Sequence, residues 1–247
     1  MELNQFFAQN PNAALAFSGG VDSAYLLYAA KQAGANVTAY YVRTPFQPQF
    51  EYDDAVKLAQ ELKMPMRTIG MDVLEDPNVV ANPANRCYYC KRRIFTAILE
   101  AARADGYSLI LDGTNASDDA SDRPGMVALR ELEVRSPLRE CGLTKPEIRR
   151  LSKEAGLFTH DKPAYACLAT RIPTGVAITL EALQRTEAAE EYLKKLGFTD
   201  FRIRLMGSAA RIQLPESQIP LLLQNRQEIL TNLKQSYSAV LLDLEVR

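Results

Sequence analysis

The chain has 247 residues, 47% of them apolar, and its 29 Lys and Arg nearly balance its 30 Asp and Glu. This length suffices for one or two domains with a proper core, and the near-zero charge argues against a protein that coats nucleic acid. With one histidine and four cysteines, the composition excludes a His-rich metal site and a disulfide scaffold. No apolar run approaches the roughly 18 residues of a membrane span, and no signal peptide is visible, so we expect a cytoplasmic protein.

Strand-like and helix-like segments alternate as far as residue 160. In chain order we predict a strand at 14–17, a helix at 22–32, a strand at 37–42, a helix at 52–62, a weak strand at 65–71, a loop at 75–85, a helix at 87–104 and a strand at 108–111. Such alternation predicts an α/β fold, a parallel sheet with helices on both faces. Ligands of such sheets bind at the carboxyl ends of the strands.

The pattern changes near residues 170–176. Before that point, Thr144 and Glu147 form a capping-box pattern that opens a further helix. Beyond it we predict one long helix at 180–196 and two strands at 198–205 and 210–214. We therefore divide the chain into an α/β domain at 1–172 and a small α+β domain at 173–247.

The first strand runs into a short glycine-containing loop that precedes the first helix. Glycine lets the backbone approach an anion closely, and a helix N-terminus supplies free N–H groups at the positive end of its dipole. The loop matches neither the Walker pattern nor G-x-G-x-x-G. It predicts a phosphate site, against the alternative of an ordinary tight turn, and its candidate residues are Ser18, Gly19, Gly20, Asp22 and Ser23.

Cys87 and Cys90 open a predicted helix, and their spacing puts both sulfurs on one face. The helix N-terminus and the basic residues that follow favour thiolates. The spacing alone leaves a redox pair, part of a zinc site, part of an iron–sulfur site and an inert pair open. Cys167 lies in a loop without packing periodicity, as either a half-buried thiol or a sulfur site near Arg171.

Two further groups of candidates follow from position. The loop after the strand at 108–111 offers ligands for phosphate or magnesium, against the alternative of a polar surface loop: Gly113, Thr114, Asn115, Asp118 or Asp119, and Arg123. In the strand at 198–205, alternation puts Arg202 and Arg204 on one face, where they suit a phosphate or a carboxylate as well as a solvated surface. Glu191 is a weaker candidate, and we interpret His160 as structural.

The motif SGGVDS resembles the signature of the PP-loop ATP pyrophosphatases, which cleave ATP between the α- and β-phosphates and adenylate a substrate. Together with four further stretches, it is similar to the LarE family of ATP-dependent sulfur transferases over residues 14–214. These stretches are CYYCKRRIF, DGTNASDDASDRPG, ALRELEVRSPLRECGLTKPEIRRLSKEAGL and DKPAYACLATRIPTG. The resemblance implies that residues 1–172 are a PP-loop domain and that the remainder binds substrate or mediates oligomerisation.

The resemblance also implies a substrate, pyridinium-3,5-biscarboxylic acid mononucleotide, whose carboxylates become thiocarboxylates for a nickel-pincer cofactor. ATP would bind the loop, with Asp22 near Mg²⁺, and Arg202 and Arg204 would contact the substrate's phosphate. Cys87, Cys90 and Cys167 would hold a [4Fe-4S] cluster whose open iron carries the sulfide, whereas in single-cysteine members the equivalent of Cys167 is itself the donor. Cys141 has no implied role.

The resemblance further implies a homo-oligomer such as a hexamer, supplied with sulfur by sulfide or by a cysteine desulfurase. A PP-loop tRNA thiolase is the main alternative, but neither a basic surface nor an RNA-binding appendage is visible, so we expect no nucleic acid and no membrane partner. A nucleotide-binding or iron–sulfur sensor and an ammonia-using synthetase are further alternatives.

Overall fold

The structure is a computed structural model that describes residues 2–118 and 124–245. The chain forms two compact units, one of Met1–Val73 and Asn85–Lys162 and the other of Leu74–Ala84 and Pro163–Arg247. Among the described residues, the first unit begins with α1 (Leu3–Gln9), β1 (Asn12–Ala16), α2 (Val21–Gln32), β2 (Asn36–Arg43), α3 (Gln49–Leu62) and β3 (Met66–Gly70). The short helix α4 (Pro77–Val80) follows in the chain but belongs to the second unit. The first unit then continues with α5 (Arg86–Ala104), β4 (Ile110–Leu111), α6 (Pro124–Glu131), α7 (Pro137–Glu140) and α8 (Lys145–Glu154). None of the described helices is long and apolar enough to cross a membrane.

The sheet of the first unit is parallel, in the order β3-β2-β1-β4. In this register Leu15 pairs with Ala39 on one side and with Leu111 on the other. The chain moves outward from β1 to β3 and then returns to the opposite side of β1 for β4. This reversal creates a topological switch point between β1 and β4, where α/β sheets bind their ligands. The predicted α/β class with a parallel sheet is confirmed.

Both faces of this sheet are buried, as expected for a parallel sheet between helices. Alternate residues of β1 and β2 face opposite sides, so Leu15 and Tyr41 join one core whereas Ala14 and Tyr40 join the other. The first core also contains side chains of α1, α2, α3 and α8, and the second contains side chains of α5 and α6. The helices thereby fix the strand ends that carry the candidate site.

The second unit continues with a long helix, α9 (Leu180–Lys195), then β5 (Arg202–Met206), β6 (Ala209–Gln213), α10 (Ile219–Gln224), α11 (Arg226–Leu233) and β7 (Val240–Leu242). Its sheet has the order β5-β6-β7, with β5 and β6 antiparallel and β7 parallel to β6. The helix at 180–196 and the two strands agree with the sequence prediction, apart from a later start of β5. The strand β7 was not predicted.

The compact units divide the chain after Lys162, ten residues before the division proposed from the sequence at 172/173. Residues 74–84 belong to the second unit, and the loop predicted at 75–85 contains the end of a 3-10 turn (Val73–Glu75) and α4. Backbone bonds hold this excursion there, because Ile178 N–H donates to Val80 O and Gly175 N–H to Asn82 O at 2.9 and 2.8 Å. Asn82 adds a side-chain bond to Pro173 O at 2.9 Å. No periodicity in the sequence marks this insertion.

Candidate functional site

The phosphate loop leaves β1 at the switch point and enters α2. Gly19 has a φ of 70°, and a Cβ there would come within 2.9 Å of Ala55 Cβ, so only glycine fits this position without strain. Gly20 is the N-cap of α2, whose first N–H groups therefore lie in the loop. Glycine in the turn and a helix N-terminus directly behind it form a cradle that fits a phosphate.

The two serines of the loop hold it in shape. Ser23 Oγ donates to Gly20 O at 3.2 Å and accepts from Ser18 N–H at 3.3 Å. Ser18 Oγ in turn lies 3.4 Å from Gly20 N, which donates to it. These hydroxyl groups close the turn on itself, as expected of side chains that replace missing backbone partners at a helix start.

The loop after β4 packs against the same helix start. A Cβ on Gly113 would lie 2.9 Å from Ser23 N, so the absence of a side chain lets the two loops meet. Thr114 is buried, and its hydroxyl donates to Asp112, which also accepts from Ser136 Oγ at 2.6 Å. Asp112 was not among the predicted site residues, although an acidic residue directly after an apolar strand is a signal that the sequence contains.

Asp22 has two partners from segments that are distant in sequence. Its Oδ2 accepts from Lys145 Nζ at 2.6 Å, and its Oδ1 accepts from Asn115 Nδ2 at 3.3 Å. Both members of the ion pair retain partial exposure, 32% for Lys145 and 21% for Asp22. Lys145 was not predicted, because its helix starts 123 residues after Asp22 and only the fold brings them together. The Lys145 ammonium group thus lies beside the phosphate loop, and such a group can donate hydrogen bonds to phosphate oxygens.

The remaining candidates of this loop have different placements. Asp118 folds back on its own loop, where its Oδ2 accepts from Asn115 N–H at 3.0 Å. Its backbone oxygen accepts from Arg139. Arg123 and Asp119 lie outside the described residues. The structure therefore brings the Ser18–Ser23 loop, Gly113, Thr114 and Asn115 together at one edge of the sheet.

Cys87 is the second residue of α5 and Cys90 is the fifth, so both sulfurs lie near the N-terminus of this helix. Cys87 is exposed and Cys90 is half-buried. The buried Arg86 that begins the helix lies 3.9 Å from Cys87 Sγ through its NH2, with its guanidinium 5.9 Å from the centre of the Phe46 ring. Within the described ranges, no group of three or more His, Cys, Asp or Glu side chains is arranged to hold a metal ion.

Cys141 and His160 have structural surroundings. Cys141 packs against the apolar core of the first unit, and burial raises the pKa of its thiol. His160 Nδ1 lies 3.0 Å from Leu157 O, a carbonyl oxygen, which assigns the donor role to this ring nitrogen. Both placements agree with the interpretation of these residues as outside the chemistry.

In the second unit, Cys167 directly precedes a 3-10 turn at Leu168–Arg171. Its side chain is half-buried. Its carbonyl oxygen accepts from Thr170 N–H at 2.9 Å and from Thr170 Oγ1 at 2.8 Å. The cysteine is therefore attached to a defined turn rather than to an extended loop.

Arg171 is buried and forms a two-pronged ion pair with Glu190, at 2.7 and 3.2 Å. Glu190 also accepts from Tyr165 OH at 2.6 Å and from Ile203 N–H at 2.9 Å. The carboxylate in this network is Glu190, whereas the predicted candidate Glu191 is its neighbour on α9. Helical spacing is a signal for this choice, because Leu183 and Leu193 are buried on the same face of α9 as Glu190.

Arg202 and Arg204 lie on one face of β5, in agreement with the predicted alternation. They do not form a solvated face, because Arg202 is only 4% exposed and donates to Ala164 O and Phe201 O. Arg204 donates to Thr170 O at 2.9 Å and to Gln213 Oε1 at 3.1 Å. Three cations lie 4.8–5.2 Å from the centre of the Tyr165 ring: Arg171, Arg202 and Lys194.

A doubly wound parallel sheet with Ser-Gly-Gly-Val-Asp-Ser at its switch point defines a PP-loop domain. No protein-family model matches the chain. Over 207 residues, 83% of this chain and 75% of the other, it is 34% identical to pyridinium-3,5-bisthiocarboxylic acid mononucleotide synthase of Lactiplantibacillus plantarum. An uncharacterized protein of Synechocystis sp. is 39% identical over 224 residues, which are 90% of this chain and 84% of that protein.

The similarity to PP-loop enzymes that act on RNA is weaker. A tRNA-specific 2-thiouridylase of Clostridium botulinum is 27% identical over 181 residues, 60% of this chain and 51% of that enzyme. The chain therefore belongs to the LarE family, the pyridinium-3,5-bisthiocarboxylic acid mononucleotide synthases, and it is an enzyme. The family predicted from the motifs is confirmed.

Proposed function

We propose that the enzyme adenylates the carboxylates of pyridinium-3,5-biscarboxylic acid mononucleotide and converts them to thiocarboxylates. The observation that carries the proposal is the 34% identity to the synthase over 83% of the chain. The position of the loop supports it, because a phosphate cradle at the switch point suits a reaction that begins with ATP. The product would serve a nickel-pincer nucleotide cofactor.

In the first step a carboxylate oxygen attacks the α-phosphorus of ATP, and pyrophosphate leaves. This step requires positioning and neutralisation of charge rather than a general base. Asp22 would hold Mg²⁺, and Lys145 would contact a phosphate oxygen. The other residues proposed to bind ATP are Ser18, Gly19, Gly20, Ser23, Gly113, Thr114, Asn115, Asp118 and Arg123.

In the second step sulfur attacks the adenylated carbonyl carbon, and AMP leaves with one carboxylate oxygen. Cys87 and Cys90 near the N-terminus of α5, with Cys167 as the third thiolate, fit the donor chemistry of an iron–sulfur site. A [4Fe-4S] cluster bound there would supply a sulfide as the nucleophile. In the alternative, Cys167 itself would donate its sulfur to the carbonyl carbon, and Arg171 would act beside this cysteine.

The second unit would bind the substrate's phosphate through Arg202 and Arg204, with Glu191 as a weaker candidate. Two guanidinium groups on one strand face suit the geometry of phosphate oxygens. Arg204 is only partly buried. Self-association through this unit, with a hexamer as the expected state, stays a prediction that light scattering after size exclusion would test.

The test of the function is pyrophosphate release from ATP with and without the pyridinium mononucleotide, together with mass analysis of the nucleotide product. We expect release only with the substrate, and a product in which sulfur replaces oxygen. Asp22→Asn should abolish release. Asp54 is the control, because it lies on α3 and forms its ion pair with Lys162 at 2.7 Å, and Asp54→Asn should leave release unchanged. Release that depends on tRNA instead would favour a thiolase, although the balanced charge of the chain argues against an RNA partner.

The iron–sulfur assignment has a separate test. After anaerobic reconstitution we expect iron and sulfide in the enzyme, strongly reduced in Cys87→Ala, Cys90→Ala and Cys167→Ala but retained in Cys141→Ala, the matched control. Unchanged cluster content in Cys167→Ala would contradict the assignment. Loss of one sulfur from the chain mass after turnover would instead identify Cys167 as a sacrificed donor.

A further inference from the structure

Three arginines of the second unit converge on the backbone that carries Cys167. Arg202 donates to Ala164 O, three residues before the cysteine. Arg204 donates to Thr170 O at 2.9 Å, three residues after it. Arg171 donates to Ala166 O at 3.2 Å, directly before it. The three guanidinium groups thus hold both ends and the middle of one short segment.

A fourth contact ties the cysteine itself to this arrangement. Arg171 NH1 donates to Thr170 Oγ1 at 2.8 Å, and that hydroxyl donates to Cys167 O at 2.8 Å. Arg171 is in turn fixed by its buried ion pair with Glu190. Such charge-assisted and linked hydrogen bonds are among the stronger ones available inside a protein.

We propose that Arg171, Arg202 and Arg204 form an arginine clamp whose function is to position Cys167, so that Arg202 and Arg204 are positioning residues for sulfur transfer as well as phosphate ligands. The guanidinium groups of Arg202 and Arg204 each contact the Cys167 segment and also belong to the proposed phosphate subsite, so one side chain connects the two. A bound phosphate and the sulfur donor at Cys167, either a cluster sulfide or the cysteine itself, would therefore keep a fixed separation, which is what attack on a carboxyl group of the same substrate requires.

The proposal rests on the proposed function for the role of Cys167, but its first test does not. Amide hydrogen exchange of the full-length chain, without nucleotide or substrate, reports the order of residues 164–171 directly. We expect Arg204→Gln to speed exchange there by about tenfold, as the loss of a hydrogen bond from a charged donor should. Arg211→Gln is the control. Arg211 lies opposite Arg204 on the neighbouring strand, but its ion pair is with Asp243.

The second test separates positioning from mere support of the fold. With substrate saturating, a displaced cysteine leaves the adenylate to water, which returns the carboxylate and releases AMP. The ratio of pyrophosphate released to thiocarboxylate formed should therefore rise severalfold in Arg204→Gln and stay at the wild-type value in Arg211→Gln. If Arg204→Gln does not fold, Arg204→Lys is the second variant, because it keeps the charge but loses the planar fork that reaches Thr170 O and Gln213 Oε1 together. Its ratio of pyrophosphate to thiocarboxylate is expected to rise as well.

Unchanged exchange at 164–171 would overturn the clamp, whatever the activity. Faster exchange with an unchanged ratio would overturn the positioning role and leave a structural one. Failure of the proposed function looks different, because the wild-type enzyme would then release no pyrophosphate with the pyridinium mononucleotide, while the exchange experiment would still decide whether the clamp orders the segment.

Discussion

Glu190 and its neighbour Glu191 show that a shift of one residue along a helix determines whether a carboxylate is buried and hydrogen-bonded. Glu190 accepts hydrogen bonds from Arg171, Tyr165 and the Ile203 N–H, whereas Glu191 points to a different side of α9 and is half-buried. From the sequence both residues are acids on one helix. The spacing of Leu183 and Leu193 indicates which of the two lies on the buried face of α9, whereas the hydrogen-bond partners of the buried carboxylate are a tertiary property.

Glu190→Gln should therefore destabilise the enzyme strongly, because it leaves the Arg171 guanidinium buried without its counter-charge. We expect a loss of about 3–5 kcal/mol in the free energy of unfolding, measured by urea denaturation. Glu191→Gln, the matched control, should change it by less than about 0.5 kcal/mol. Equal losses in the two variants would contradict the assignment of the ion pair.

Gly19 and Gly34 form a second matched pair at the residue scale. Both have a left-handed φ, 70° and 66°, but a Cβ meets Ala55 only at Gly19 and open space at Gly34. Alanine at either position should cost about 1–2 kcal/mol of stability from the backbone conformation. Only Gly19→Ala should also abolish ATP binding, measured by calorimetry, since the loop must shift; normal binding by this variant would contradict a role of the turn in holding phosphate.

At the scale of elements, local signals in the sequence were sufficient where they act over a few residues. The capping box at Thr144 is present, and Glu147 accepts from the Thr144 N–H and hydroxyl at 2.9 and 2.5 Å. The amphipathic pattern at 52–62 corresponds to α3, and the pattern at 180–196 to α9. The strand β7 was missed because three residues, Val240–Leu242, are too short for a periodicity to be seen.

The capping box predicts a pH dependence of stability. Hydrogen bonds from Thr144 lower the pKa of Glu147 from its ordinary value of 4.5, so the folded state favours the carboxylate. Its contribution is present above pH 4.5 and is lost as the pH falls through the lowered pKa. Thr144→Ala should therefore be less stable than wild type at pH 7, and the difference should shrink in acid.

The control for this experiment is Thr179→Ala. Thr179 caps α9 through a bond from Ala182 N–H at 3.1 Å, without a carboxylate at the equivalent position. The effect of Thr179→Ala on the urea midpoint should be the same at pH 7 and in acid. A Thr144→Ala difference that also stays constant with pH would contradict the coupling between Thr144 and Glu147.

At the scale of the whole molecule, the motif and the order of elements predicted the parallel sheet and the position of the phosphate loop. Contacts between distant segments could not be predicted, because nothing in the local pattern pairs Lys145 with Asp22 or attaches residues 74–84 to the second unit. The arginine clamp belongs to the same class. Alternation indicated a shared face for Arg202 and Arg204, but the carbonyl groups they hold come from another part of the chain.

The central claim is that ATP activates a carboxylate that sulfur then attacks, and the fate of one oxygen atom tests it most directly. The measurement uses pyridinium-3,5-biscarboxylic acid mononucleotide labelled with ¹⁸O in its carboxylates and follows the label by mass spectrometry. Adenylation followed by sulfur attack predicts one labelled oxygen in AMP for each thiocarboxylate formed, and none in pyrophosphate. Thiocarboxylate formation with unlabelled AMP, or label in pyrophosphate, would contradict the account.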